Sequence, residues 1–242
     1  MKVALDVRVR SGPRSSFVRV SELLESAAVA GRLDFFPWSG GPCPADVLWS
    51  PLLEPEDLPT GPRLVSTMHD VSALMPDPRP AWQRAWRAWR FRRCVSRVGE
   101  RSARLSIVSA DVLKRATKAF PALTGRMSVV PHFAAECFRP LNPDACAPVL
   151  EHFGLRPGFV LFVAALRRHK NWEGALRAWA GLPEELRTRH PLVFAGSTRR
   201  AGDAPLVLAR RLGVAAAEVR LLGSVSDEAL PALYSACEVF LY

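Results

Sequence analysis

The sequence predicts an α/β protein made of two doubly wound domains, the second of them incomplete. Short apolar runs of β-strand character recur along the chain, and longer helix-like segments separate them. Strands that are apolar almost throughout are buried on both faces, so the sheets should be parallel and covered by helices on both sides. A proline-rich segment, "ECFRPLNPDACAP", interrupts the alternation. We therefore expect an N-terminal domain over residues 1–140, a linker over 141–157 and a partial C-terminal domain over 158–242.

The first domain alternates strands and helices in the order expected of a parallel sheet. The predicted strands are "KVALDVRV", "LDFFPW", "ADVLWSP", "RLVSTMHD", "RLSIVSAD" and "MSVVPHFA". The predicted helices are "SFVRVSELLESAAVAG", closed by Gly31, a long stretch over roughly 80–102, and "DVLKRATKAF". Ser109 or Asp111 is a suitable N-cap for the last helix.

The second domain repeats this alternation more regularly. Its predicted strands are "FVLFVAA", "PLVFAGS", "VRLLGSV" and "EVFLY", and its predicted helices are "NWEGALRAWAGL", "APLVLARRLGV" and "SDEALPALYSAC". After "EVFLY" no helix is available to cover the sheet, which would leave apolar surface exposed. For this reason we expect a truncated second domain.

Composition and charge exclude several classes of protein. Hydrophobic residues make up 49% of the 242 and charged residues 23%, which excludes a disordered chain. The five cysteines are odd in number, widely spaced and without a Cys-x-x-Cys pair, which argues against a disulfide framework and a structural zinc site. The sequence lacks a signal peptide and an apolar run of about 18–20 residues, so we expect a cytoplasmic protein, with peripheral contact at the inner face of the membrane as a further expectation. The net charge of +10 favours anionic partners, although a generally basic surface would explain it equally well.

Basic residues stand at the end of the strand "FVLFVAA", where a helix begins at Asn171. They are Arg167, Arg168, His169 and Lys170. In open parallel sheets ligands bind beyond the carboxyl ends of the strands, and the unpaired N–H groups of a helix N-terminus favour an anion. We therefore expect this loop to hold a diphosphate, with Lys170 as its main cation; a solvated loop charge is the alternative.

Other polar clusters occur at predicted strand ends. His69 and Asp70 follow a buried strand, and Gly12 lies in the first strand-to-helix turn, although a single glycine is a weak phosphate-loop signal. Two further strand ends carry a Gly-Ser pair, Gly196 with Ser197 and Gly223 with Ser224. Glycine there permits close approach of a ligand, but a tight turn requires it as well.

A tryptophan stripe marks the long helix of the first domain. Trp82, Trp86 and Trp89 recur at i, i+4 and i+7, with arginines between them. We favour packing of these rings on the first sheet. Binding to an anionic membrane and stacking on nucleic acid are the alternatives.

Taken together, these motifs resemble the retaining glycosyltransferases of family 4, also called glycosyl transferases group 1, in their mannosyltransferase-like branch. The resemblance rests on "VSTMHDVSALMPDP", "MSVVPHF…CFRP", "FVLFVAALRRHKNWEGALRAW" and "VRLLGSVSDEALPALYSACEVFLY" in this order. It implies the GT-B fold of two Rossmann-like domains. It also implies transfer of a hexose, mannose in this branch, from a nucleotide-diphosphate sugar to a glycan or lipid-linked acceptor, without metal or cofactor.

The resemblance also implies roles for particular residues. Lys170 would neutralise the leaving diphosphate, His69 would contact the donor sugar, Gly12 would lie near the diphosphate, and Gly223 would touch the nucleotide base. This sequence departs from the family with His169 in place of arginine before the lysine, and without the Glu-Gly-Phe-Gly segment that normally follows "EVFLY". We therefore expect a fragment of uncertain activity. A glycosyltransferase-like chain acting only as a binding partner, and a nucleic-acid-binding protein, are the alternative hypotheses.

Overall fold

The computed structural model describes residues 1–8, 34–51, 53, 58–76 and 79–242. They form two compact units, Met1–Phe133 and Ala134–Tyr242. The predicted helix closed by Gly31 and the predicted turn at Gly12 lie outside the described residues. The α/β class and the parallel sheets predicted from the sequence are confirmed.

The first unit is built on a six-stranded parallel sheet in the order β2-β1-β3-β4-β5-β6. The strands are β1 Lys2–Asp6, β2 Asp34–Trp38, β3 Val47–Ser50, β4 Arg63–Met68, β5 Ser102–Ile107 and β6 Met127–Val129. The described helices are α1 Ala81–Arg101 and α2 Ala110–Ala119, and the Ser109 side chain caps α2 by accepting from the N–H of Val112. The chain order reverses at β1, so the topological switch point of this sheet lies between β1 and β3.

The long helix α1 is attached to its unit mainly through its last two turns. Val95, Val98 and Gly99 are its buried residues. A β-carbon at Gly99 would lie 2.4 Å from the Leu123 side chain, so only glycine allows this close approach. The first three turns of the helix contain no buried residue.

The predicted packing of the tryptophan stripe on the first sheet is wrong. Trp82, Trp86 and Trp89 are 71%, 53% and 56% exposed. At 100° per residue they lie on the side of the helix opposite Val95 and Val98. The sequence period identified an apolar stripe correctly, but the shorter aliphatic residues of the other face make the contact with the core.

The second unit is built on a four-stranded parallel sheet in the order β10-β7-β8-β9. The strands are β7 Val160–Val163, β8 Leu192–Ala195, β9 Val219–Gly223 and β10 Val239–Phe240. The helices are α3 Pro143–Phe153, α4 Trp172–Ala180, α5 Glu184–Arg189, α6 Ala204–Arg211 and α7 Leu230–Ala236. Because the chain returns from β9 to place β10 beside β7, the switch point of this sheet lies between β7 and β10.

Both faces of the second sheet are covered. Phe162 and Phe194 point to the face covered by α4 and α6, and the alternating neighbours Leu161 and Val193 point to the face covered by α3 and α7. This double cover explains why the central strands β7 and β8 are apolar at every position.

The segment 141–157, which the sequence analysis assigned to a linker, contains helix α3. The Asn142 side chain caps the helix by accepting from the N–H of Ala145 at 2.8 Å. Cys146 and Leu150 are buried in the core of the second unit. The two compact units divide at Phe133/Ala134, seven residues before the predicted end of the first domain at 140.

Among the described residues, no helix is both long enough and apolar enough to cross a membrane.

Candidate functional site

The basic loop lies at the switch point of the second sheet. Strand β7 ends at Val163, and Arg168–Lys170 form a single 3₁₀ turn before α4 begins at Trp172. A crevice at the carboxyl ends of the strands is the usual ligand position in such sheets, because the loops on either side diverge there. In the structure, Lys170 thus lies in the loop that follows strand β7, next to the start of helix α4, as predicted.

Asn171 joins the basic turn to helix α4 through a left-handed backbone conformation, with φ 54° and ψ 34°. Asparagine tolerates this region better than most residues. A β-carbon at Gly174 would lie 2.5 Å from the Asn171 side chain, so glycine there leaves room for it. Trp172 and Leu176 are buried and anchor the helix on the sheet. The local sequence thereby fixes the basic turn beside the N-terminus of α4.

The Lys170 side chain is held by Tyr242. Its ammonium group donates a hydrogen bond to the Tyr242 hydroxyl and lies 5.0 Å from the centre of that ring. The ring stacks in turn on Phe162 and Phe240, at centroid distances of 6.3 and 6.2 Å. This contact orients the ammonium group of Lys170.

The other three predicted cations belong to the same turn. Arg167, Arg168 and His169 are exposed, and Lys170 is half-buried. The backbone N–H of Lys170 donates to the carbonyl of Arg167 at 2.8 Å, which closes the turn. The structure therefore brings the predicted basic residues together in one turn, in which Tyr242 holds the Lys170 side chain.

The glycines predicted at strand ends connect this loop to its neighbours. Gly196 N–H donates to the Gly223 carbonyl at 2.6 Å, and the Ser197 carbonyl accepts from Leu166 N–H at 3.0 Å. A β-carbon at Gly196 would lie 2.1 Å from the Ala164 carbonyl oxygen. The loops after β7 and β8 are therefore so close at this point that any side chain larger than that of glycine would clash.

Gly223 has a φ of +72°, which glycine adopts without strain, and Ser224 beside it is exposed. Backbone conformation and close packing therefore explain why glycine occurs at positions 196 and 223. Contact of these residues with a ligand stays a prediction.

His69 follows β4 in the first unit, where the sequence analysis placed it. Its Nε2 lies 2.9 Å from the Pro51 carbonyl oxygen. A carbonyl only accepts, so Nε2 carries the proton and the lone pair of the neutral ring is on Nδ1. The neighbouring Asp70 carboxylate accepts from Ser72 N–H at 2.7 Å and starts the 3₁₀ turn Ser72–Leu74.

A second histidine, His132, lies beside His69. The ring centroids are 5.1 Å apart with an interplanar angle of 56°. Burial lowers the pKa of His69 most, the His132 charge lowers it further, and the hydrogen bond to Pro51 and the Asp70 charge raise it. Burial also lowers the pKa of His132. Both rings are therefore neutral at pH 7, and His69 can accept a hydrogen bond or a proton at Nδ1.

Sequence reasoning missed His132 and Tyr242 as members of these clusters. His132 follows β6 and Tyr242 follows β10, so both stand at carboxyl ends of strands, the position that was used to select Lys170 and His69. Which strand ends are adjacent depends on the order of the strands in the sheet, and the sequence alone did not provide that order.

A buried ion pair marks the switch point of the first sheet and was also missed. Asp6, at the end of β1, is 2% exposed and pairs with Arg8 at 2.8 Å. The Arg8 guanidinium lies 4.4 Å from the centre of the Trp38 ring, and Ser50 donates to Asp6 at 3.4 Å. The signal was present in the sequence, because an aspartate ends an otherwise apolar strand.

The fold places the chain in a structural class. Two parallel α/β sheets in one chain, each with a topological switch point, are the architecture of the GT-B fold of glycosyltransferases. The chain aligns over 99% of its length with WaaG, a glycosyltransferase involved in lipopolysaccharide biosynthesis, at a TM-score of 0.71, 15% identity and 74% of that chain. It aligns equally far with Anabaena HepE in complex with UDP and glucose, at a TM-score of 0.66, 14% identity and 73% of that chain.

The sequence of the second unit is similar to one protein family and to several mannosyltransferases. Residues 151–242 match the model of the family described as Glycosyl transferases group 1. The O-antigen chain mannosyltransferase B of Escherichia coli is 38% identical over 104 residues, 43% of this chain and 27% of that protein. The serotype-specific mannosyltransferase WbdA of Escherichia coli is 31% identical over 93 residues, 38% of this chain and 11% of that protein. The matches thus span about a quarter or less of these relatives.

Proposed function

We propose that the chain acts as a glycosyltransferase that moves a hexose, mannose by preference, from a nucleotide-diphosphate sugar to a glycan or lipid-linked acceptor. Retention of the anomeric configuration and membership of family 4 belong to the same proposal. The observation that carries it is Lys170, whose ammonium group is fixed at the switch point of the second sheet, beside the N-terminus of α4. The mannosyltransferase relatives and the UDP-bound structural neighbour support it.

The chemistry of the basic turn suits a leaving diphosphate. Bond breaking at the anomeric carbon transfers negative charge to the diphosphate oxygen, and a preorganised cation stabilises that charge without reorganising. Lys170 would supply the cation, and Arg167, Arg168 and His169 would add donors at the exposed side of the turn. The backbone turns at Gly196 and Gly223, with Ser197 and Ser224, would accommodate the rest of the donor.

For His69 we propose contact with the donor sugar. The tautomer that the Pro51 hydrogen bond selects is neutral and carries its lone pair at Nδ1. A neutral imidazole can accept a hydrogen bond from a sugar hydroxyl, which an imidazolium cannot. For Gly12 we keep the predicted position near the diphosphate.

A lipid-linked acceptor would bring the reaction to a membrane surface. Peripheral contact of the chain with an anionic membrane is therefore part of the proposal.

The test is calorimetric titration of the chain with nucleotide-diphosphate sugars of mannose and glucose. We expect Lys170→Ala to weaken donor binding by about 10- to 100-fold, the effect of losing a hydrogen bond to a charged group. Lys118→Ala is the matched control, since it removes the same charge from an exposed position on α2 of the first unit and should leave donor binding unchanged. Equal affinity of the Lys170→Ala variant and the unmodified chain would contradict the assignment.

A further inference from the structure

The outward face of helix α1 combines large apolar rings with positive charge. Trp82, Trp86 and Trp89 are each more than half exposed. They follow one another along about 10 Å of the helix axis, at 1.5 Å per residue. Exposed tryptophans in a row are costly in water, because each leaves a large apolar surface unburied. This face is therefore suited to contact with another surface.

The charged side chains of helix α1 are almost all positive. Ala81–Arg101 contains seven arginines and one acidic residue, Glu100. The Arg90 guanidinium lies 5.0 Å from the centre of the Trp86 ring, and the Arg93 guanidinium lies 5.7 Å from that of Trp89. Cations and rings therefore occupy the same outward face and do not form separate patches. A partner surface that binds this face must contain anionic groups next to an apolar layer.

A groove borders this face, between α1 and the rest of the first unit. Its volume is about 850 Å³, and arginines of α1 line it together with apolar side chains and one carboxylate. The residues other than arginine are Leu58, Ala73, Trp86, Phe91, Cys94, Val98 and Glu100. The lining arginines are Arg87, Arg90, Arg93, Arg97 and Arg101. Guanidinium groups bind phosphate oxygens in bidentate fashion, so the groove fits phosphate head groups.

We propose that this Trp–Arg face of α1, formed by Trp82, Trp86, Trp89, Arg90 and Arg93, seats the first unit on a bilayer that contains anionic phospholipids. The indole rings enter the boundary between head groups and acyl chains, where tryptophan is enriched in membrane proteins. The arginines remain at the level of the phosphates, with their aliphatic stems along the rings. The helix lies in the interface and does not cross it, which agrees with its many charges.

The spatial order of rings and cations favours a membrane over the two rival partners. Nucleic acid would be bound mainly through phosphates, with bases stacked on the ring faces, whereas here a guanidinium group lies over one face of Trp86 and of Trp89 and leaves the rest of each ring exposed. A protein partner would need acidic side chains placed opposite individual arginines, while a lipid surface supplies mobile phosphates that adapt to any spacing.

The Trp–Arg face of α1 would be the site of the membrane contact that the proposed function includes. The proposed function explains why the chain would bind a membrane, but the binding itself does not depend on it. Vesicle binding requires no donor sugar, and donor binding requires no vesicles. A failure of one assay therefore leaves the other result intact.

The experiment is co-sedimentation of the full chain with vesicles of phosphatidylcholine alone or mixed with phosphatidylglycerol. We expect binding to the mixed vesicles and little to the neutral ones. The Arg90→Gln, Arg93→Gln double variant should bind about 25-fold more weakly, at roughly one factor of five for each arginine at the surface. The Trp82→Ala, Trp86→Ala, Trp89→Ala triple variant should bind about a hundredfold more weakly.

The matched control is the Arg210→Gln, Arg211→Gln double variant, which removes the same charge from exposed positions at the end of α6 in the second unit. It should bind mixed vesicles as the unmodified chain does, and circular dichroism should show every variant folded. Equal loss in the control, unchanged binding of the tryptophan variant, or equal affinity for neutral vesicles would overturn the proposal. Retention of the chain on single-stranded DNA, or its dimerisation in solution, would overturn it as well if either depended on the same tryptophans.

Discussion

Lys170 owes its environment to a residue 72 positions away in the chain. The sequence predicted the cation, the strand that precedes it and the helix that follows, because apolar periodicity and the position of Asn171 are local signals. Tyr242 could not be paired with it in advance. Its ring reaches the ammonium group only because β10 lies next to β7, and strand order is a property of the whole sheet.

The pairing of His69 with His132 has the same origin. Both follow strands of one sheet, but β5 lies between β4 and β6, so their proximity depends on how the two loops extend beyond the strand ends. Asp70, which follows His69 directly in the sequence, accepts a hydrogen bond from Ser72 N–H and shapes its own loop.

The histidine pair makes stability depend on pH. Burial lowers the pKa of both rings below 6.5, so over the interval between the lowered pKa and 6.5 the unfolded chain binds more protons than the native one. Stability should therefore fall as the pH falls through 6.5. Urea unfolding at about pH 7.5 and pH 5.5 should show a smaller loss for a His69→Gln, His132→Gln variant than for the unmodified chain.

Proton NMR of the His69 ring measures the same effect directly. We expect its titration midpoint below 6.5, and a rise of that midpoint in His132→Gln, since the charge of the neighbouring ring contributes to lowering it. A midpoint at or above 6.5 in the unmodified chain would contradict the buried, neutral state of His69.

At the scale of whole elements, the sequence predicted most strands and helices. The structure differs from the prediction at helix α3 and at the tryptophan-bearing face of α1. Helix α3 was assigned to a linker because of its prolines. Pro143 stands in the first turn, where proline is well tolerated, and Asn142 caps the helix from the preceding position. The tryptophan stripe of α1 was assigned to the core because periodicity identifies a face without telling which neighbour covers it.

Gly196 tests how tightly the strand-end loops of the second sheet are packed. We expect Gly196→Ala to destabilise the chain by about 3 kcal/mol or more, because its β-carbon would meet the Ala164 carbonyl at 2.1 Å in a backbone conformation with φ +142°. Gly202→Ala is the control, since its φ is +53° but no atom lies within 4 Å of the added carbon. That variant should lose only about 1 kcal/mol in chemical unfolding. Similar losses for both would show that the loops separate easily.

At the scale of the whole molecule, the two compact units divide the chain at Phe133/Ala134, whereas the predicted domains are separated by the segment 141–157. The predicted start of the second domain at residue 158 leaves out α3, although Cys146 and Leu150 cover one face of its sheet. We propose that the folding unit begins near Ala134 instead. The proline-rich segment suggested a boundary because prolines are frequent in linkers, although Asn142 followed by Pro143 is also the pattern of a helix start.

Two fragments of the second unit distinguish these boundaries. The fragment 134–242 should fold cooperatively, because it retains α3 and α7 together on one face of the sheet. The fragment 158–242 exposes that face around Leu161 and Val193, and should show poorly dispersed amide resonances in NMR and bind a hydrophobic dye. The Leu150→Ala variant of the longer fragment gives an intermediate case, with an expected loss of about 2–5 kcal/mol in the free energy of unfolding, because it removes a buried leucine while keeping the helix. Cooperative folding of the fragment 158–242 with undiminished stability would place α3 outside the domain and restore the boundary predicted from the sequence.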